Sequence, residues 1–287
     1  MVYNFSLPPL VLHAFHVGDA TKLSRWAETL TLPSDHVTFF NFLASHDGIG
    51  LMPARGILSE VEIDAIAQRA QALGGHVSFK TNPDGSQTAY ELNINYLDAL
   101  GNPDAPDEDP DTVARRFLAS QAIMLALRGV PGIYFHSLFG SRGWPDGIAQ
   151  TGRYRTINRE KLQRGPLESE LADPTALRNK VFYPYLGMLK KRAAEKSFHP
   201  NGGQRIVHCH PAIFAVLRSA PDGQEHTLCF HNVSSESQSV AVQLNELPLR
   251  PGATLTDLIT GQLYHPHNGE LDLSLAPYQA LWLRSPP

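Results

Sequence analysis

Residues 38–50, TFFNFLASHDGIG, constrain the fold more than any other stretch of the chain. From Thr38 to Leu43 the run is apolar and rich in aromatics, without the strict alternation of a sheet that has one wet face. Such a run suits a strand buried on both faces, and hence a parallel sheet flanked by helices. His46 and Asp47 then fall just past the C-terminal end of that strand, where parallel α/β folds place their chemistry. Gly48 and Gly50 let the backbone turn away with no side chain crowding that position. An aspartate placed there also serves to cap a following helix. The local pattern leaves both roles open.

The segments around this run repeat a strand–helix alternation. Residues 1–5 predict a short strand, ended by Ser6 and the Pro8-Pro9 pair, with helical signals over 11–15 and 19–30. After the strand at 38–43 a helix is expected over 59–73, with Ser59 and Glu62 spaced as a capping box. Residues 75–95 alternate weakly around Asn82-Pro83-Asp84-Gly85, the signature of a hairpin. A long helix over 112–128 leads to a second buried strand at 130–136 that ends on His136. Residues 137–165 read as a long loop, and 174–196 as a final helix in which Phe182, Tyr183 and Tyr185 pack onto the sheet.

From residue 204 the period changes to two. Short alternating runs occur at 206–209, 212–218, 227–232, 239–244 and 279–283, separated by turn signals such as Pro221-Asp222-Gly223. The chain therefore divides into an α/β portion, 1–203, and an antiparallel β-sandwich, 204–287. Three strand–helix units do not close a barrel, which needs eight strands and about 250 residues.

Composition narrows the function class. A net charge of -4 with no basic stripe argues against nucleic acid as a partner. No apolar run reaches the roughly 18 residues of a membrane span, and the N-terminus MVYNFSLPPL lacks the pattern of a signal peptide. Cys209 and Cys229 have no metal-ligand spacing, so two structural thiols in a reduced, cytoplasmic setting are expected. His208/His210 and His265/His267 lack a third ligand and read as surface residues, so neither a metal nor a cofactor is called for.

At three motifs the chain becomes specific. FLASHDGIG, VPGIYFHSLFGSRGWPDG and TGRYRTINRE, followed by ADPTALRNKVFYPYLGML, resemble the sucrose-phosphorylase-like branch of the α-amylase superfamily. The middle loop is more similar to the glucosylglycerate and related glucoside phosphorylases than to the sucrose enzymes. The resemblance implies the C-terminal part of a (β/α)8 TIM barrel, about strands 6–8, followed by an all-β antiparallel C-terminal domain. It aligns residues 1–5 with the sixth strand, 38–43 with the seventh and 130–136 with the eighth. It implies a retaining transfer of a glucosyl unit to inorganic phosphate, with a sugar as the other substrate. In that family Asp47 matches the carboxylate that stabilises the transition state and His46 the partner of the glucosyl hydroxyls. Arg155 matches the arginine that holds the glucosyl unit. The nucleophile and the acid/base belong to the fourth and fifth strands, whose motifs this sequence does not contain.

The chemistry agrees with that division. Retaining transfer needs two carboxyl groups about 5–5.5 Å apart, and the predicted strand ends offer only Asp47. A fragment that is inactive alone is the expectation. Arg142, Trp144 and Gln150 flank the acceptor side in such an enzyme; there Arg142 reads as a surface arginine before it reads as a phosphate ligand. A hydrolase or transglucosidase of the same superfamily, or a non-catalytic sugar- or partner-binding protein, are the competing readings.

Overall fold

A computed structural model describes residues 1–34, 36–250 and 252–286. In chain order, β1 (Val2–Tyr3) leads into α1 (Leu7–Val17) and α2 (Thr21–Glu28). Strand β2 (Phe39–Asn41) is followed by β3 (Ile49–Gly50), α3 (Glu60–Ala72) and the hairpin β4 (His76–Thr81) and β5 (Gln87–Asn93). Short α4 (Tyr96–Ala99) precedes long α5 (Pro110–Ala126) and strand β6 (Val130–Pro131). Helices α6 (Phe135–Leu138), α7 (Pro145–Thr151), α8 (Arg164–Ala172) and α9 (Leu177–Ala194) complete this portion.

Strands β1, β2 and β6 pair in parallel in that order, with Val2 opposite Phe39 and Phe40 opposite Val130. Asn41 ties them together: it accepts a hydrogen bond from Asn4 Nδ2 at 2.7 Å and donates one to the Arg128 carbonyl at 3.0 Å. The side chains alternate. Phe39, Asn41 and Leu43 are buried, whereas Phe40 and Phe42 face the other way and meet Tyr3 at ring-centroid distances of 5.1 and 6.2 Å. That second face is open, with Tyr3 59% and Phe5 55% exposed. Burial on both faces, expected from 38–43, is thus realised on one face only. The other closes only where further strands curve round to fill a barrel interior.

Several element boundaries differ from the sequence reading, each for a local reason. Pro8 and Pro9 do not break α1 but sit in its first turn, where the missing N–H groups have no helical acceptor to lose. Helix α5 starts at Pro110 because Asp109 caps it, accepting from the Thr112 N–H at 3.2 Å. The third parallel strand stops at Pro131, so His136 lies on α6 rather than at a strand end. The supposed loop at 137–165 contains α7 and a 3₁₀ turn at Tyr154–Asn158. On α9 only Tyr185 of the three aromatics is fully buried, donating to Gln121 Oε1 at 2.9 Å; Phe182 stacks on Phe139 and Tyr183 stays exposed.

The remainder is antiparallel. It comprises β7 (Gly203–Ile206), β8 (Ile213–Ser219), β9 (His226–Asn232), β10 (Gln238–Gln243), β11 (Leu255–Asp257), β12 (Leu263–Tyr264), β13 (Glu270–Leu275) and β14 (Ala280–Arg284). A six-stranded sheet in the order β12-β11-β14-β9-β8-β7 packs against the β10–β13 ribbon through Ile213, Leu217, Phe230, Val240, Leu271 and Leu281. The opposite face of the same sheet, with Phe214, Val216, Cys229 and Trp282, joins the core of the α/β portion. Both faces of β8 and β9 are therefore covered, and both strands are buried almost end to end without alternation. Arg218 of β8 locks the junction. Fully buried, it donates to the carbonyls of Gly203 at 2.9 Å, Ala126 at 3.0 Å and His199 at 2.9 Å. Burial pulls its pKa down to about 9. Arg192 reaches the Leu125 and Gly129 carbonyls, so two cations serve the C-terminal end of α5.

Candidate active site

Beyond β2 the chain runs through the Ser45-His46-Asp47 turn, where the Asp47 N–H donates to Ser45 Oγ at 3.1 Å. The turn at Tyr154–Asn158 lies against it and supplies its cations. Asp47 Oδ1 accepts from Arg155 Nη1 at 3.1 Å and from Arg159 Nη2 at 2.9 Å. Arg159 Nε donates to the His46 carbonyl at 2.8 Å, and Asn158 Nδ2 to the Asp47 carbonyl at 3.0 Å. The imidazole of His46 is exposed, with Nε2 3.7 Å from Asp47 Oδ1. The three residues singled out in the sequence, His46, Asp47 and Arg155, thus come together from positions more than a hundred residues apart.

The arginine turn is itself held from two sides. Trp144 donates its N–H to the Ile157 carbonyl at 2.9 Å, and the Tyr134 hydroxyl donates to the Asn158 carbonyl. Tyr154 stacks on His76 of β4 with centroids 4.4 Å apart and planes 6° apart. Burial, together with the charge of Asp47, pushes the Tyr134 hydroxyl above its ordinary pKa despite the opposing charge of Arg159, so it stays a donor at neutral pH.

Two participants lay outside the sequence reading. Glu91 of β5, buried at 8% side-chain exposure, takes the fork of Arg155 with both oxygens: Nε to Oε1 at 3.0 Å and Nη2 to Oε2 at 2.7 Å. Its hydrogen bond and charge hold the Arg155 guanidinium above the ordinary arginine pKa. Arg159, four residues on in the same motif, shares Asp47 Oδ1 with Arg155. Gly48 has a sharper purpose than a free turn. A Cβ there would lie 2.4 Å from the Leu92 carbonyl oxygen and 2.6 Å from Glu91 Cγ, so only glycine admits β5 this close. Gly50 has no such neighbour.

A cavity of about 310 Å³ opens beside these groups, with Phe5, Phe42 and Tyr90 on its walls and Asp47, Glu91 and Arg155 among its polar lining. Aromatic walls with a few placed polar groups suit a small polar ligand. Asp47 Oδ2 makes no hydrogen bond among the described residues, leaving one carboxylate oxygen for a ligand. In Glu91, by contrast, each oxygen already accepts from Arg155. Two other residues of the motifs turn elsewhere. His136 is buried with Nδ1 3.1 Å from Ser141 Oγ, and Arg142 pairs with Asp98 at 2.8 Å.

Residues 205–282 match the family model of the maltogenic amylase C-terminal domain. A glucosylglycerate phosphorylase of Spirochaeta thermophila is 45% identical over 99% of this chain and 48% of its own length. A sucrose phosphorylase of Agrobacterium vitis is 31% identical over 85% of this chain and 45% of its own length. In fold, the crystal structure of sucrose 6F-phosphate phosphorylase from Thermoanaerobacter thermosaccharolyticum superposes on 96% of this chain and 47% of its own, with a TM-score of 0.66 at 18% identity. The chain spans about half the length of the curated relatives it matches. It belongs to the α-amylase superfamily, on the sucrose-phosphorylase-like branch.

Proposed function

We propose that this chain carries the transition-state carboxylate and its arginine clamp for a retaining glucoside phosphorylase. The observation that supports it is Asp47, fixed past a parallel strand with two guanidinium groups on one oxygen and the other oxygen left for a ligand. As an oxocarbenium-like charge grows on the sugar ring, a fixed carboxylate gripping the ring hydroxyls binds more strongly than in the ground state. His46 offers an exposed imidazole to the same hydroxyls. Arg155, charged and held by Glu91, keeps Asp47 in place through Nη1. Glucosylglycerate is the preferred α-glucoside, on the higher identity to that class of relative, and inorganic phosphate is the acceptor. No cofactor takes part.

The attacking carboxylate and the proton donor come from other strand ends of the barrel. Glu91, buried and paired through both oxygens with Arg155, is read as the partner of that arginine and not as either of them. Residues 1–203 then form the barrel portion and 204–287 the accessory β-domain of a cytoplasmic enzyme.

The test joins this chain, in one polypeptide, to the part of the Spirochaeta thermophila relative that it does not match. With glucosylglycerate the joined enzyme is expected to release glucose 1-phosphate only when phosphate is present, and the 287-residue chain alone to release none. Free glucose at a rate indifferent to phosphate would instead establish a hydrolase.

A further inference from the structure

The hairpin β4–β5 lies between the second and third parallel strands in sequence, yet it pairs directly with the segment that carries the His-Asp turn. Strand β3, immediately after Gly48, runs antiparallel to β5 with Ile49 opposite Leu92 and Gly50 opposite Glu91. On its other side β5 pairs with β4, and there the register skips Tyr90: Ser78 faces Glu91, but Phe79 faces Ala89. A bulge of this kind re-aims the side chains beside it. Beyond the bulge Glu91, Leu92 and Asn93 are all buried, because β5 is the central strand between β3 and β4 and is covered on both faces.

We propose that Glu91 is the positioning residue of this site, setting the Arg155 guanidinium so that its remaining N–H face fixes Asp47. The proposal rests on the reading of Asp47 as the glucosyl-binding carboxylate. A planar fork with two of its edges on one carboxylate has little freedom left. Nε and Nη2 are committed to Glu91, and Nη1 then reaches Asp47 Oδ1 at 3.1 Å. At 8% exposure the Glu91 carboxylate is nearly free of competing water, whereas Arg155 itself is 45% exposed and would otherwise sample many rotamers. The absent Cβ of Gly48 lets Glu91 come this close, and the stack of Tyr154 on His76 fixes the arginine turn to the same hairpin. The hairpin therefore acts on the reaction through Arg155, without touching the sugar by way of Glu91.

Two measurements separate this proposal from the function on which it rests. In the 287-residue chain, the Arg155 side-chain Nε–H is identified in a ¹⁵N–¹H spectrum by its loss in Arg155→Lys. It is expected as a resolved, slowly exchanging signal that collapses into the bulk arginine signals in Glu91→Gln. In the joined enzyme, Glu91→Gln is expected to lower kcat and kcat/KM together, about tenfold to a hundredfold, with KM nearly unchanged. Glu91→Asp, which keeps the charge, should recover part of the loss and stands in where the glutamine variant does not fold. An Arg155 signal unmoved by Glu91→Gln, or kinetics within twofold of the parent, overturns the proposal. A signal that responds while the parent joined enzyme makes no glucose 1-phosphate overturns the functional reading and leaves the positioning role standing.

Discussion

At the scale of single residues, the candidate site is a chain of charges with one free end. Glu91 holds Arg155, Arg155 and Arg159 hold Asp47 Oδ1, and Oδ2 is left over. The same logic, a guanidinium that saturates fixed acceptors, recurs far from the site at Arg218. Replacing it by methionine preserves bulk but strands the carbonyls of Gly203, Ala126 and His199. Arg218→Met is expected to cost roughly 3 kcal/mol or more, read as a lowered urea midpoint; a loss below 1 kcal/mol would mean that water takes over these acceptors. How legible such residues are follows from where their partners lie. His46, Asp47 and Arg155 stand in motifs that can be read locally. Glu91 stands in a weakly alternating stretch, 64 residues from its arginine, on a strand covered on both faces beside a bulge that no local pattern announces. Gly48 was visible as a glycine, but its reason, the closeness of β5, is a tertiary fact.

Elements were legible in proportion to their local chemistry. Helix α3 begins where Ser59 and Glu62 predict it, with the Ser59 N–H donating to Glu62 Oε2 at 2.8 Å and the Glu62 N–H to Ser59 Oγ at 3.4 Å. Glu62 also receives Lys22 Nζ of α2 at 2.7 and 2.5 Å and lies 3.1 Å from His13 Nε2 of α1, so a cap doubles as a tie between helices. Lys22, first among its partners, pulls the Glu62 carboxyl down to about 2, and that stabilisation is lost as pH falls from about 4.5 through 2. Ser59→Ala is expected to destabilise the chain by about 1 kcal/mol in thermal or urea unfolding. No measurable change would show that the Lys22 tie alone sets the start of α3. Less legible were the two- and three-residue strands β6, β11 and β12, too short to show a period. The six-residue β13 alternates as ELDLSL, a period-two signal that lies outside the alternating runs named above.

For the whole molecule, one core runs from the parallel strands' helices into the outer face of the β-domain, with Trp282 and Phe198 packed at 4.9 Å where the two meet. The buried His231 in this region accepts from Trp282 Nε1 at 3.3 Å and pairs through Nδ1 with the Phe214 carbonyl at 3.0 Å, which requires the neutral ring. Burial lowers its pKa to about 4, and that of His16 likewise to about 4. A proton is bound more readily once the chain unfolds. Stability should therefore be unaffected by these groups above about pH 6.5 and fall as the pH drops toward 4, by about 3 kcal/mol for each full shift. The midpoint of thermal unfolding is expected to decline between pH 7 and pH 4, with a shallower slope in His231→Gln; a midpoint flat across this range would contradict the assignment. At the same scale the aromatic face of Tyr3, Phe5, Phe40 and Phe42 is open among the described residues. In the proposed enzyme the other strands of the barrel would cover it and bring the attacking and proton-donating carboxylates opposite Asp47.

The central claim is that Asp47 grips a glucosyl unit in its transition state. The most direct measurement is the initial rate of glucose 1-phosphate release from glucosylglycerate and phosphate by the joined enzyme, parent against Asp47→Asn. The amide keeps the size and the contact with the arginines but removes the charge. A loss of about a hundredfold or more in kcat is expected, and a rate within threefold of the parent would contradict the role given to Asp47.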